Sequence, residues 1–134
     1  MTSLEIGGWG VVWEAPGLDA ASDFGIIAQR YNADGTPAGG ETVVNVTTTF
    51  TQFDPAVATI AAGTAGFPSG GYVVVYTSDV GDASADGIVM QRFATDGTPV
   101  GNELTVNTTT ANNQGAADVA VLNSGLIAVT YDSS

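Results

Sequence analysis

The sequence predicts an all-β protein of tandem four-stranded antiparallel repeats, of the kind that make β-propeller blades, with two repeats and one extra strand. Three observations predict it. A long segment returns at a fixed offset: Gln29-Arg30 reappears 62 residues later as Gln91-Arg92, and Asp34-Gly35-Thr36-Pro37 as Asp96-Gly97-Thr98-Pro99. A fixed period of this size marks a stacked or circular repeat architecture. Short runs alternate aromatic and aliphatic residues with period two between glycines, and no stretch carries the 3.6-residue period of a helix.

The elements follow in order. Gly8-Trp9-Gly10-Val11-Val12-Trp13 matches Gly71-Tyr72-Val73-Val74-Val75-Tyr76, and a third copy is Leu126-Ile127-Ala128-Val129-Thr130-Tyr131, so Trp13, Tyr76 and Tyr131 are equivalent inward positions. The next strand is Gly25–Tyr31, repeated as Gly87–Phe93. The Asp-Gly-Thr-Pro segments then supply tight turns, because Asp and Gly tolerate the backbone angles a hairpin demands. The third strand is Glu41–Val46, repeated as Glu103–Thr108, and after a Thr-rich connection the fourth is Pro55–Ile60, repeated as Ala117–Leu122.

The chain reads as a single repeat domain over 1–134, with repeat one at about 7–69, repeat two at about 70–124 and the extra strand at 125–134. Two blades cannot close a ring, and an open stack leaves its terminal repeats uncapped. The expected partner is therefore the chain itself, as a homo-oligomer or part of a larger array, with exchange of strands between chains as a third route because an extra strand offers an edge for pairing.

Composition narrows the function classes. Fourteen carboxylates face two arginines, with no lysine and no histidine, for a formal net charge of −12. Nucleic acid is excluded as a direct partner, since phosphate binding needs clustered Lys and Arg. No apolar run nears the roughly 20 residues of a membrane helix, so membrane insertion is not expected. The opening Met-Thr-Ser-Leu-Glu has neither the basic region nor the apolar core of a conventional signal peptide. The absence of cysteine removes disulfides, zinc thiolates and thiol chemistry. An acidic, Cys-free, Gly/Asp/Thr-rich chain fits an extracellular or cell-surface setting, reached by a route without such a leader.

The repeat, Gly-Gly-(aromatic)-Val-Val-(aromatic) followed by Gly-Ile-x-x-Gln-Arg-(aromatic)-x-x-Asp-Gly-Thr-Pro-x-Gly, resembles a module of about 60 residues found in large bacterial exoproteins and surface adhesins of RTX and cadherin type. The likeness covers nearly the whole chain. It implies export and adhesion at a bacterial surface. The chain lacks the glycine-rich nonapeptides of RTX calcium rolls.

Candidate sites are few. Arg30 and Arg92 occupy equivalent positions, so a structural pairing with the repeated carboxylates Glu41 and Glu103 is expected over a sugar-acid clamp. Asp79, Asp82 and Asp86, with Ser84 among them, form the densest oxygen cluster; calcium takes six to eight oxygens, so this loop is the candidate calcium site, with a poorer counterpart at Asp19 and Asp23. The ordered EF-hand spacing is absent, and solvated aspartates are the plainer reading. The alternating aromatics read as packing between repeats. Phe50, Phe53 and Phe67 sit in Thr/Gly-rich connections and are the candidate ligand-binding aromatics; Phe67 lies in a seven-residue insertion confined to the middle repeat boundary. Asn45-Val46-Thr47 and Asn107-Thr108-Thr109 match the glycosylation pattern but read more simply as strand ends.

No cofactor is expected beyond possible calcium. Without His, Cys or Lys most acid–base and covalent chemistry is missing, and two arginines cannot build a sialidase triad, so an enzyme is not expected. The expected function is a non-catalytic extracellular repeat module for adhesion or glycan binding. The alternative is a self-assembling structural subunit of a fibre or particle with no small ligand.

Overall fold

The computed structural model describes residues 1–4, 7–17, 24–79 and 85–134. Among them there is no helix. Ten strands follow one another: β1 (Thr2–Ser3), β2 (Trp9–Pro16), β3 (Phe24–Tyr31), β4 (Thr42–Val43), β5 (Gln52–Ile60), β6 (Gly71–Ser78), β7 (Gly87–Ala94), β8 (Leu104–Thr105), β9 (Gln114–Val121) and β10 (Ile127–Ser133). They form antiparallel sheets in chain order: β1-β2-β3-β4, then β5-β6-β7-β8, then the pair β9-β10. A four-stranded antiparallel sheet whose spatial order follows the chain is the make-up of a propeller blade.

The repeat is reproduced in backbone detail. Trp13 lies opposite Ile27 and Tyr76 opposite Val89, while Val57 meets Val74 and Val119 meets Val129, so Trp13, Tyr76 and Tyr131 are equivalent by register. The same register break recurs in β5, between Phe53 and Ala56, and at its counterpart in the β9–β10 ladder. Its extra residue is Asp54 in one sheet and Ala116 in the other, both at φ 51°. Phe50 and Asn112, at φ 63° and 64°, are a second such pair.

Sheet boundaries fall one strand earlier than the sequence blocks. Pro55–Ile60, read as the end of the first repeat, is part of β5 and pairs with β6. The reason is in the connections. Leu4 donates to the Gly8 carbonyl and Leu122 to that of Leu126, each at 2.8 Å, and Ile60 lies opposite Gly71, so the strand before each connection belongs with the strand after it.

The third strand is also shorter than expected. The sequence predicts a strand over Glu41–Val46, but β4 spans only Thr42–Val43, and β8 likewise has two residues. Asn45 Oδ1 accepts the Ile26 N–H at 2.8 Å and Asn107 Oδ1 accepts that of Ile88 at 2.8 Å, so a side chain ends the backbone ladder.

Two apolar layers hold the stack together. Between the first and second sheets lie Leu4, Ile26, Ala28 and Val44 against Tyr72, Val74, Tyr76, Val89 and Phe93. Between the second and third lie Ile60, Phe67, Val73, Val75 and Ile88 against Ala117 and Val119, with Ile127, Val129 and Tyr131 at the margin. Successive side chains of a strand point to opposite faces, so β6 feeds both layers: Tyr72, Val74 and Tyr76 go one way and Val73 and Val75 the other. All five are buried.

Candidate functional site

The first sheet repeats the buried face of the second, and among the described residues no further sheet packs on it. On β6 and β7 that face is Tyr72, Val74 and Tyr76 with Val89, Gln91 and Phe93, paired across the strands and packed on the first sheet. The equivalent residues of β2 and β3 are Trp9, Val11 and Trp13 with Ile27, Gln29 and Tyr31. The aromatic pairs match as well: Trp9 stacks on Tyr31 with centroids 5.6 Å apart at 14°, and Tyr72 on Phe93 at 5.1 Å and 16°. Tyr72 is 2 % exposed and Tyr76 0 %, whereas Trp9, Val11, Trp13 and Tyr31 are half-buried and Val43 beside them is exposed; Ile27 and Gln29, in the middle of the same face, are buried. The chain's two tryptophans both lie on this face.

The covered interface shows how two sheets of this kind clasp. Arg30 Nη1 of the first sheet donates to the Thr95 carbonyl in the second sheet's turn, at 2.9 Å. Glu103 answers in the other direction, taking the N–H groups of Val46 and Thr47 at 3.1 and 3.3 Å, the Thr47 hydroxyl at 2.9 Å, and the Tyr76 hydroxyl. Burial and this carboxylate neighbour push the Tyr76 hydroxyl far up from its ordinary value, so it stays a proton donor. Burial raises Tyr72 too, partly offset by Arg30.

Among the described residues, Arg30 therefore goes to the Thr95 carbonyl rather than to Glu41, and Glu103 to Val46, Thr47 and Tyr76 rather than to Arg92. Within a sheet, the glutamine of each Gln-Arg pair ties the strand to its own turn: Gln29 Nε2 donates to the carbonyls of Arg30 and Gly39 at 2.7 and 3.2 Å, and Gln91 Nε2 does the same to Arg92 and Gly101 at 3.3 Å each. The arginine is left to reach the neighbouring sheet. For Arg92 no such turn occurs among the described residues, and its Nε is buried without a hydrogen-bond partner. Glu41, equivalent to Glu103, is exposed.

The turns are built by their own side chains. Asp34 Oδ1 accepts the Thr36 N–H at 2.9 Å and hydroxyl at 2.6 Å, and Asp96 Oδ1 accepts the Thr98 N–H at 2.8 Å. These bonds to Thr36 and Thr98 hold both carboxyls below their usual value. Gly35 and Gly97 sit at φ 88°, the left-handed backbone that explains the Asp-Gly pair.

The candidate ligand aromatics divide. Phe67 is a correction: it is 3 % exposed and part of the second apolar layer, because the inserted segment folds back on itself through a Phe67 N to Thr64 O bond of 2.7 Å. Phe50 is 59 % exposed, at the crossover between sheets, and Phe53 is half-buried at the start of β5. The structure does not bring the three together on one surface element. Of the calcium candidates, Asp82 lies outside the described residues, as do Asp19 and Asp23. Asp79 is exposed and donates its N–H to Thr51 O at 3.0 Å, while the Asp86 carbonyl accepts the Gln114 N–H at 2.9 Å. No group of three or more His, Cys, Asp or Glu side chains that could hold a metal ion occurs among the described residues.

Asn45 and Asn107 are 4 % and 5 % exposed, which removes them as glycan acceptors in the folded chain. Asn45 Nδ2 donates to Thr47 O and Gln52 Oε1, at 2.9 and 3.0 Å, and Asn107 Nδ2 to Thr109 O and Gln114 Oε1, at 3.0 Å each. Gln52 and Gln114, fully buried, close the crossovers by donating to the carbonyls of Thr49 and Phe50 and of Ala111 and Asn112. Sequence reasoning missed this network, although its signal was present: both residues recur with the 62-residue offset.

Comparison of the chain with protein-family models, with curated proteins and with solved structures finds no match.

Proposed function

We propose that the chain is a non-catalytic repeat module whose work is assembly: it stacks, sheet on sheet, with further copies to build a surface-associated or secreted structure. One observation carries this reading. The face of the first sheet bearing Trp9, Val11, Trp13 and Tyr31 has the residues and the aromatic stacking of a face that is buried one repeat later. A sheet buries such a face against another layer. The acidic, Gly/Asp/Thr-rich composition supports a surface or secreted setting, and the shortage of general bases supports a role without catalysis.

This puts the structural-subunit alternative ahead of glycan binding. Burial of Phe67 takes away the best-placed aromatic for a sugar, leaving Phe50 as the exposed one. A glycan array tests the weaker reading, with saturable binding lost in Phe50→Ala as its supporting result.

The leading reading is tested by light scattering and tryptophan fluorescence on the full chain. Mass above 13.4 kDa should grow with concentration, and the emission should shift to the blue as the two tryptophans are covered. Val11→Glu, which puts a charge in the middle of the face, should abolish both effects while leaving the β-sheet circular dichroism intact. A wild-type chain that stays a monomer over a wide concentration range, with unchanged emission, overturns the proposal.

A further inference from the structure

Among the described residues the third sheet has two strands where the others have four, and between β10 and the β7–β8 end of the second sheet lies a groove of about 310 Å³ lined by Met90, Leu104, Thr105, Val106, Ile127 and Val129. Except for Thr105 these are apolar residues, and the groove offers little to a sugar. We propose that this groove is a strand acceptor: it takes a β-hairpin with the repeat's own third- and fourth-strand chemistry, seated on β10 in the register that β7 takes on β6. The inference deepens the assembly reading and rests on it for its biological sense.

The covered interface serves as the template. There Val89 and Phe93 of the second sheet's third strand pack on Ile26, Ala28 and Val44 of the first sheet. One repeat later, Ile88, Met90 and Val106 replace those three, and Met90 and Val106 face the groove instead. The polar clasp is half-built in the same way. Arg30 finds the Thr95 carbonyl, but among the described residues Arg92 meets no counterpart turn and keeps Nε buried without a hydrogen-bond partner. Glu103 takes the N–H groups of Val46 and Thr47, and among the described residues no carboxylate plays that part for the equivalent Thr108 and Thr109. An incoming hairpin with a turn carbonyl and a glutamate completes both.

The edge is suitable as well. Exposed edge strands are usually guarded by shortness, charge or proline. β4 and β8 are two residues long, and the edge of β2 beyond Gly10 carries Glu14 and Pro16. β10 runs Ile127-Ala128-Val129-Thr130-Tyr131 before its first charge at Asp132, and no described strand pairs with its outer side. Main-chain bonds to such an edge supply affinity and the alternate side chains supply specificity. The register is fixed by equivalence: Val75 meets Met90 and Tyr76 meets Val89, so Thr130 should meet the position of Met90 and Tyr131 that of Val89.

The test uses the full chain and a synthetic peptide of residues 86–106. Saturable one-to-one binding by calorimetry is expected, with a scrambled peptide inert. Arg92→Leu in the chain should weaken binding about tenfold, as loss of a charge-assisted hydrogen bond does. Glu103→Gln in the peptide should weaken it similarly, and this arm leaves the folded chain untouched. Because the chain has no cysteine, Thr130→Cys can be oxidised against a peptide carrying Met90→Cys; that pair should cross-link and a Val89→Cys peptide should not, since a one-residue slip turns side chains to the other face. Absence of saturable binding, or equal binding of the scrambled peptide, overturns the acceptor, and cross-linking through position 89 overturns the register. If the peptide binds while the full chain stays monomeric, the acceptor stands and the assembly reading falls. If the chain assembles and the peptide does not bind, the reverse holds.

Discussion

At the scale of single residues, the repeated asparagines and glutamines matter more than the charges. Asn45 is spent on the Ile26 N–H, the Thr47 carbonyl and Gln52, all inside the stack. Asn45→Ala leaves the buried Ile26 N–H without its acceptor, and a donor stranded in that way costs about 1–3 kcal/mol. Urea unfolding should show that loss, and Asn107→Ala should match it. Phe50 presents the opposite case. Its φ of 63° is a conformation that bulky residues adopt at a cost, while Asn112 holds the same place at 64° with a side chain suited to it. Phe50→Asn should therefore raise stability by about 1 kcal/mol, read as a higher melting temperature. The same variant should lose any binding that uses the exposed ring, so the two measurements together separate scaffold from function at this position.

The turn carboxylates belong to this scale too. Asp34 and Asp96 have folded values below the unfolded 3.8, so the stability they contribute is present above that pH and is lost as pH falls through the folded values. Carboxyl chemical shifts followed from pH 6 to 2 should show both titrating late. Asp34→Asn should remove that acid-side dependence from the first turn only.

At the scale of elements, the strand interiors were legible because two signals coincide there, period-two alternation and flanking glycine. Gly71 illustrates how tightly they are tied. A Cβ at that position would strike the Phe93 carbonyl oxygen and lie 2.7 Å from the Phe67 ring, and Gly8 meets the Tyr31 carbonyl in the same way. Backbone cannot give way as a side-chain tip can, so Gly71→Ala should destabilise by about 1–3 kcal/mol, measured by thermal melting. What stayed illegible has physical causes. The short β4 and β8 were hidden because an asparagine side chain imitates the next rung of the ladder. The position of Phe67 was hidden because an insertion without alternation looks the same whether it projects or folds back. The destination of Arg30 was hidden because a turn carbonyl 65 residues away carries no side-chain signature, whereas nearby glutamates do.

At the scale of the whole molecule, the period was plain in the sequence and the phase was not, since a tandem repeat reads the same whichever strand is counted first. Only hydrogen bonding assigns β5 to the sheet that follows it. The phase determines what each end of the described stack presents: a full sheet face with both tryptophans half-buried at one, and a two-stranded sheet with no described partner on the outer side of β10 at the other. Association through either end has to overcome charge. Two copies at −12 repel one another, and that repulsion is screened over about 30 Å at 0.01 M salt but over about 8 Å at 0.15 M. Assembly should therefore be weak at low ionic strength and should strengthen with sodium chloride, the reverse of an association driven by ion pairs. Divalent cations sharpen the test. If carboxylate repulsion is the whole effect, calcium and magnesium at matched concentration should raise the light-scattering mass equally, and sodium at matched ionic strength should nearly do so. A calcium site at Asp79, Asp82 and Asp86 requires a saturating, calcium-selective increase that disappears in Asp82→Asn while the non-selective part remains. The equal response is the expected one, because the acidic surface accounts for it if the proposed assembly draws its contacts from the apolar face and the β10 edge.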